Sequence, residues 1–357
     1  MTEQFKKRAM AAFAGAGIDR ACVSLHGRDA LVLVYHGILG EEKPEPFRYH
    51  HTAAEFEGHL DWLGLRCSPV NLADFARWKR GEWRPPKPPV LVTFDDGYRN
   101  NAVVAAPLLK RKGFPAVFFL ASGYIDGDRV LWPDEVFARV CAWTAATLEG
   151  PAGAIHAIPQ NAGEREAVAL SIVEECKNVG DALRRDFIAY LAAQTPHCNP
   201  TADADAQSFM SWEDVRALGS AGFDLGSHTM THPILRSLSP EDLRRELRES
   251  RAAIEARTGG PCTALAYPNG RARDIDGTVL AETAEAGYEY AFTVSNRWCR
   301  RTADALQVDR ISPPGHADLP TFAVHASGLR QWLTRAASRR EPAPPAAQAS
   351  GLPSRSA

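Results

Sequence analysis

The sequence lacks any pair of cysteines spaced as a zinc knuckle or a redox dithiol. Its seven, Cys22, Cys67, Cys141, Cys176, Cys198, Cys262 and Cys299, are odd in number and widely scattered. That excludes a disulfide-stapled scaffold and reads as reduced, mostly structural thiols, as in a reducing compartment. No apolar run approaches the length of a membrane span. The segment from Met1 to Ala21 carries Lys6, Lys7, Arg8 and Arg20 and lacks an uninterrupted apolar stretch, so no standard export signal is expected and the expected location is cytoplasmic. A basic surplus is also missing. The 41 Lys and Arg against 43 Asp and Glu give a net charge of -2, which argues against nucleic acid or an anionic membrane as the partner. No internal repeat is present.

What is there is a recurrence of short apolar runs. Ala30–Tyr35, Val90–Phe94, Pro115–Leu120, Phe223–Ser227, Thr263–Tyr267, Tyr290–Val294 and Val308–Ile311 each read as a strand, and most are followed by a turn and a helical pattern. Thr52 and Glu55 form a capping box ahead of Phe56, Leu60 and Leu63, which share one helical face. Pro107, Leu108 and Leu109 lie in a helix ending near Lys112-Gly113. Ser211 opens another helix, which stops at Gly222. Ser239-Pro240-Glu241-Asp242 supplies a cap, an N1 proline and first-turn acids before Leu243, Leu247 and Ile254. Alternating strands and helices predict a parallel α/β architecture over residues 30–335. Residues 1–29 read as an N-terminal extension. Residues 131–210 break the pattern and read as a helical insertion, a lid or a substrate-facing subdomain. Residues 336–357, rich in Ala, Ser and Pro, read as a disordered tail.

The chemistry concentrates after the strands. Val90-Leu91-Val92 leads into Thr93-Phe94-Asp95-Asp96-Gly97, two adjacent carboxylates at a glycine turn. An acidic turn would explain that pentapeptide equally well. A second feature is Gly226-Ser227-His228-Thr229-Met230-Thr231-His232. Two imidazoles four apart on a helical turn would face one side and could share a metal. Chance supplies about 0.3 such HxxxH pairs in a chain with this many histidines, so position matters more than spacing. In a parallel sheet or barrel the carboxyl ends of the strands share one edge. His36, Asp95, Asp96, His228, His232 and Tyr267-Pro268-Asn269-Gly270 all fall there. Water ionises with a pKa of about 15.7 and zinc-bound water at about 7. At about 1.36 kcal/mol per unit, a metal removes roughly 12 kcal/mol of ionisation cost. Successive strand residues point to opposite faces, so the two aspartates reach one site only if the backbone turns between them.

These motifs resemble those of the polysaccharide deacetylases of the chitooligosaccharide deacetylase (NodB-homology) family, carbohydrate esterase family four. The resemblance runs through Thr93–Gly97, His228-Thr229-x-x-His232 and Tyr267-Pro268-x-Gly270, and spans roughly Leu31 to Pro313. It implies an irregular (β/α)7 barrel, with Asp95 as general base and Asp96, His228 and His232 as metal ligands. It further implies that the backbone N–H of Tyr98 helps hold the oxyanion. Zinc is the default cofactor, with cobalt, nickel or manganese compatible with the same ligands. The implied substrate is an N-acetylated amino sugar of a polysaccharide; with no export signal expected, a cytosolic step on its lipid- or nucleotide-linked precursor, at the inner membrane face beside a polysaccharide assembly system, is the expectation. A late Leu-x-His motif for the acid histidine is missing. Tyr35-His36 instead resembles the early Tyr-His motif of the subgroup acting on poly-N-acetylglucosamine, which makes His36 the expected acid. Where many members carry a base-steadying arginine this chain has Ala266, so Arg271 or Arg310 is expected to substitute. Tyr267, Pro268, Asn269 and Trp298 are expected at the substrate subsite, with Trp132 divided between that role and a core one. Two alternatives stay open: a deacylase or amidohydrolase of some non-polysaccharide amide, and a carbohydrate-binding barrel without turnover.

Overall fold

The computed structural model describes residues 17–40, 50–200, 204–315 and 318–329. The expected tail and most of the N-terminal extension lie outside the described residues. Seven parallel strands form one curled sheet: β1 (Leu31–Tyr35), β2 (Ser68–Pro69), β3 (Pro89–Phe94), β4 (Ala116–Leu120), β5 (Asp224–Ser227), β6 (Ala264–Ala266) and β7 (Tyr290–Phe292). Their spatial order is β1-β3-β4-β5-β6-β7, with the two-residue β2 beside the start of β3. The sheet then closes. Val308 pairs with Ala291 and Thr293 beside β7, and three residues later Ile311 exchanges hydrogen bonds of 2.8 and 3.0 Å with Val32 and Val34 of β1. The expected last strand is therefore present as a seam between β7 and β1, too short to count as a regular strand and sufficient to make a barrel.

Strands β1 and β4 read as unbroken apolar runs because both faces are covered. A first helix, α1 (Ile18–Leu25), precedes β1, whose Leu31, Leu33 and Tyr35 pack in the same apolar cluster as Phe56, Leu60 and Leu63 of helix α2 (Ala53–Arg66), while Val32 joins Leu91, Val117, Phe119, Ala266 and Phe292 in a second cluster closed by Phe75 and Trp78. The capping box at Thr52 forms as expected, its side chain accepting from Glu55 N at 3.2 Å and Glu55 returning to Thr52 N at 2.8 Å. Helix α3 (Leu72–Arg80) follows β2, and α4 (Ala106–Lys112) follows β3 after a wide π turn and ends at Gly113 in the left-handed region.

Residues 131–210 hold three longer helices, α5 (Trp132–Cys141), α6 (Ala162–Cys176) and α7 (Asp181–Gln194), and an antiparallel hairpin of Thr147–Glu149 with Ile155–Ala157 that periodicity does not announce. They share an apolar core of their own around Val136, Val140, Ile172 and Leu191. Beyond it, α8 (Trp212–Ser220) precedes β5, α9 (Pro240–Thr258) links β5 to β6, and α10 (Gly277–Glu285) links β6 to β7. Among the described residues no helix is long and apolar enough to cross a membrane.

Candidate metal and hydrolytic centre

Asp95, Asp96, His228, His232 and Arg310 meet at the carboxyl edge of the barrel. The chain turns between the two aspartates: Asp96 has φ 75° and Gly97 φ 90°. Asp95 N donates to Tyr35 O at 2.9 Å and Ala121 N to Asp96 O at 3.1 Å, so the turn is fastened to both neighbouring strands. The opposed directions that a straight strand would impose are thereby cancelled.

His228 and His232 come together by a different route from the one expected. No helix forms there; Thr229 (φ 66°) and His232 (φ 57°) bend a loop back on itself, and the rings lie 4.9 Å apart. Glu246 of α9 holds this loop, accepting from Met230 N (2.8 Å), Thr231 N (2.9 Å) and Thr231 Oγ1 (2.6 Å). A four-residue spacing can bring two imidazoles together through left-handed residues as well as through a helical turn. The buried Glu246 had a sequence signal, an acid on the apolar stripe of Leu243, Leu247 and Ile254, which the motifs overshadowed.

Asp96 Oδ1 lies 3.4 Å from His228 Nε2 and 3.5 Å from His232 Nε2. These three residues can offer ligand atoms all within 4.8 Å of one another. The fit to a divalent cation rests on chemistry as well as spacing. Asp96 Oδ1 is buried without any hydrogen-bond partner. His228 donates from Nδ1 to Ala266 O at 2.7 Å, which turns the lone pair of Nε2 into the site. An oxygen and two imidazole nitrogens suit zinc and its first-row neighbours.

Asp95 is held differently. Arg310, wholly buried, forks onto it with both Nη atoms at 2.7 Å, and also donates to Thr93 Oγ1 at 3.1 Å and from Nε to Thr293 O at 3.0 Å. Its guanidinium lies 5.7 Å from the ring of Phe119 and 5.9 Å from that of Phe292. Burial alone would raise the Asp95 carboxyl, and the charge of Arg310 overrides it, leaving the group below the usual carboxylate range. Asp96 is likewise kept low against burial by its imidazole neighbours. Burial lowers both histidines. For His228 the two carboxylates outweigh burial and the group ends up raised, whereas His232, further depressed by His228, falls to about 3.

His36 follows β1 beside Asp95, close enough for its charge to be felt at both aspartates, and Asn101 Nδ2 donates to its carbonyl at 2.7 Å. Tyr98 bridges Phe209, with Arg99 N on Ser208 O and Met210 N on Gly97 O. In such a bridge the Tyr98 N–H faces away from Phe209.

Three expectations need correction. Arg271 does not reach Asp95: both its Nη atoms bind Glu174 of α6 at 2.7 and 3.0 Å. Trp298 is no subsite wall, being fully buried, stacked on His26 and donating to Ala326 O at 2.9 Å. Tyr267 is also core, 1 % exposed, its hydroxyl donating to Leu306 O at 3.0 Å. Its neighbour Pro268 is buried, and Asn269 stays at the edge with its amide on Asp274 at 2.6 Å. Sequence does not separate core aromatics from subsite aromatics, because their apolar faces serve a core as readily as a sugar.

A family model for polysaccharide deacetylases matches residues 83–148 and 172–291. The chain belongs to the polysaccharide deacetylase family. These are hydrolases of N-acetyl amide bonds. The match takes in Asp95, Asp96, His228 and His232 and stops short of His36 and Arg310 on either side. YxkH of Bacillus subtilis (strain 168), grouped with the polysaccharide deacetylases, is 30% identical over 109 residues, 29% of this chain and 36% of its own length. This chain thus spans about a third of that relative. In fold the chain is similar to the Streptococcus pyogenes deacetylase PplD in complex with acetate, with TM-score 0.56 and 16% identity over 84% of this chain and 98% of that one. IcaB from Ammonifex degensii gives TM-score 0.54 and 20% identity over 84% and 97% of the two chains.

Proposed function

We propose that this chain is a cation-dependent deacetylase of N-acetylated amino sugars, acting on a polysaccharide or on its lipid- or nucleotide-linked precursor. The observation that carries the reading is the division between the two adjacent aspartates: Asp95 is neutralised by Arg310, and Asp96 turns an unpartnered oxygen toward two imidazoles. Asp96, His228 and His232 would hold the cation, with zinc first and cobalt, nickel or manganese as alternatives. When bound, such a cation supplies a water that ionises at about pH 7.

The side chains then have separate tasks. Asp95, ionised at neutral pH beside Arg310, takes the proton of the attacking water as the C–O bond forms at the acetamide carbonyl. Tyr98 N–H donates to the oxyanion. As the C–N bond breaks, His36 delivers a proton to the departing amine, a role suited to an imidazole. Acetate and a free amino sugar result. Seven unpaired cysteines fit a cytoplasmic site of action, at the inner membrane face beside a polysaccharide assembly system.

Acetate release by metal-replete protein is the deciding assay, with N-acetylglucosamine oligomers and lipid- and nucleotide-linked N-acetyl sugars as acceptors. Release that stops with a chelator and returns with zinc is expected; no acetate from any acceptor would sink the proposal. Recovery of the protein mainly from periplasm or medium would overturn its cytoplasmic placing.

A further inference from the structure

The helical stretch after Leu131 reaches back to the carboxyl edge at three points. Trp132 Nε1 donates to the carbonyl of His232 at 3.0 Å. Two residues on, Asp134 Oδ2 accepts from the hydroxyl of Tyr98 at 2.9 Å. Glu174 of α6 takes the fork of Arg271. The loops after β3, β5 and β6 are thus each tied to one body.

The first two ties are built into the interior. Trp132 is buried with the guanidinium of Arg184 4.8 Å over its ring, and Arg184, 2 % exposed, is itself paired with Asp181. Ile234, two residues past His232, packs in the apolar core of the insertion with Val136 and Ile172. Tyr98 and Leu131 share a small cluster with Phe209. The Arg271 tie is about 40 % exposed on both partners and is screened by water.

His232 shows why an anchor from outside the barrel is needed. A metal-ligating imidazole is normally oriented by the hydrogen bond of its second nitrogen. His228 has one, to Ala266 O; His232 Nδ1 is buried and makes none. The ring of His232 is placed through its backbone instead, by His232 N on Thr229 Oγ1 at 3.1 Å and His232 O under Trp132 Nε1.

We infer that Trp132 and Asp134 are positioning residues of the cation site, and that the insertion is a fixed brace that sets the geometry of Asp96 and His232 rather than a lid that opens over them. The inference rests on the reading of Asp96, His228 and His232 as cation ligands. Trp132 fixes the loop of His232, and Asp134 fixes the loop of Asp96 through Tyr98.

The test uses the full chain and Co2+ as probe, with affinity from chelator competition and ligand geometry from the visible d–d absorption. Trp132→Phe keeps an aromatic ring beside Arg184 and removes the N–H donor together with part of the indole. It is expected to weaken Co2+ about tenfold and to shift the absorption band. Asp134→Ala should act in the same direction, and Asp134→Asn, whose amide oxygen still accepts from Tyr98, should restore both readings. Thermal melts of the metal-free proteins establish folding. If Trp132→Phe does not fold, Tyr98→Phe deletes only the hydroxyl on Asp134 and is expected to shift the same band. Wild-type affinity and spectrum in the folded variants would overturn the brace while leaving the cation reading intact. No Co2+ binding by the wild type would overturn both.

Discussion

A buried arginine clasping a buried aspartate leaves neither free to change charge cheaply. Removing one partner of such a pair costs about 3–5 kcal/mol, because the other is left uncompensated. Arg310→Met is therefore expected to lower stability by that amount in urea unfolding. It should also move the acid limb of kcat/KM to higher pH, since the proposed base Asp95 has to be ionised to take a proton and loses the charge that holds its pKa down. Asp95→Asn should reduce kcat by about 10²- to 10⁴-fold while bound metal, measured by elemental analysis, stays at the wild-type level. Asp96→Asn should lose the metal itself. The choice between Arg271 and Arg310 was not legible in the sequence. Arg271 is nearer the motif along the chain, yet the turn at Asn269 and Gly270, both with positive φ, carries it off to Glu174. Arg310 arrives from the closing seam, and only the closure of the barrel reveals that it faces Asp95.

At the scale of elements, strands and caps were the readable part. Ala116–Leu120 is apolar at every position, and Val90–Phe94 at every position but Thr93, because helices cover one face and the barrel interior the other. Thr52, Ser211 and Ser239 each cap the helix they announce. Loops were not readable in the same way, since His228 and His232 are joined by left-handed residues that no periodicity encodes. What makes that loop tenable is α9, whose Glu246 satisfies three donors at once. Hydrogen bonds to a charged group contribute about 1.5–3 kcal/mol each. Glu246→Ala is expected to speed hydrogen exchange at Met230 and Thr231 and to weaken metal binding, with Glu246→Gln intermediate. Unchanged exchange at those two amides in Glu246→Ala would show that the loop stands without α9.

For the molecule as a whole, the proposed cation site is expected to tie stability to pH and to metal with opposite signs. The raised pKa of His228 means that, without metal, its contribution is full below the unfolded value of about 6.5 and is lost as pH rises through the folded one. Asp95 and Asp96, both depressed, contribute above about pH 4 and lose that contribution as pH falls through their folded values. The metal-free site should therefore contribute most between about pH 4 and 6.5, read as the difference in melting temperature between wild type and His228→Gln. Metal binding needs a deprotonated His228, so affinity should drop as pH falls through its raised pKa. Near neutral pH, saturation at a hundredfold excess over Kd should add about 2.7 kcal/mol, which a chelator removes. The seam between β7 and β1 has a last consequence, one of timing. Asp96, His228 and His232 all precede β7 in the chain, whereas Arg310 lies on the segment that shuts the ring. During synthesis, the three residues proposed to grip a cation therefore leave the ribosome before Arg310, the residue that pairs with Asp95.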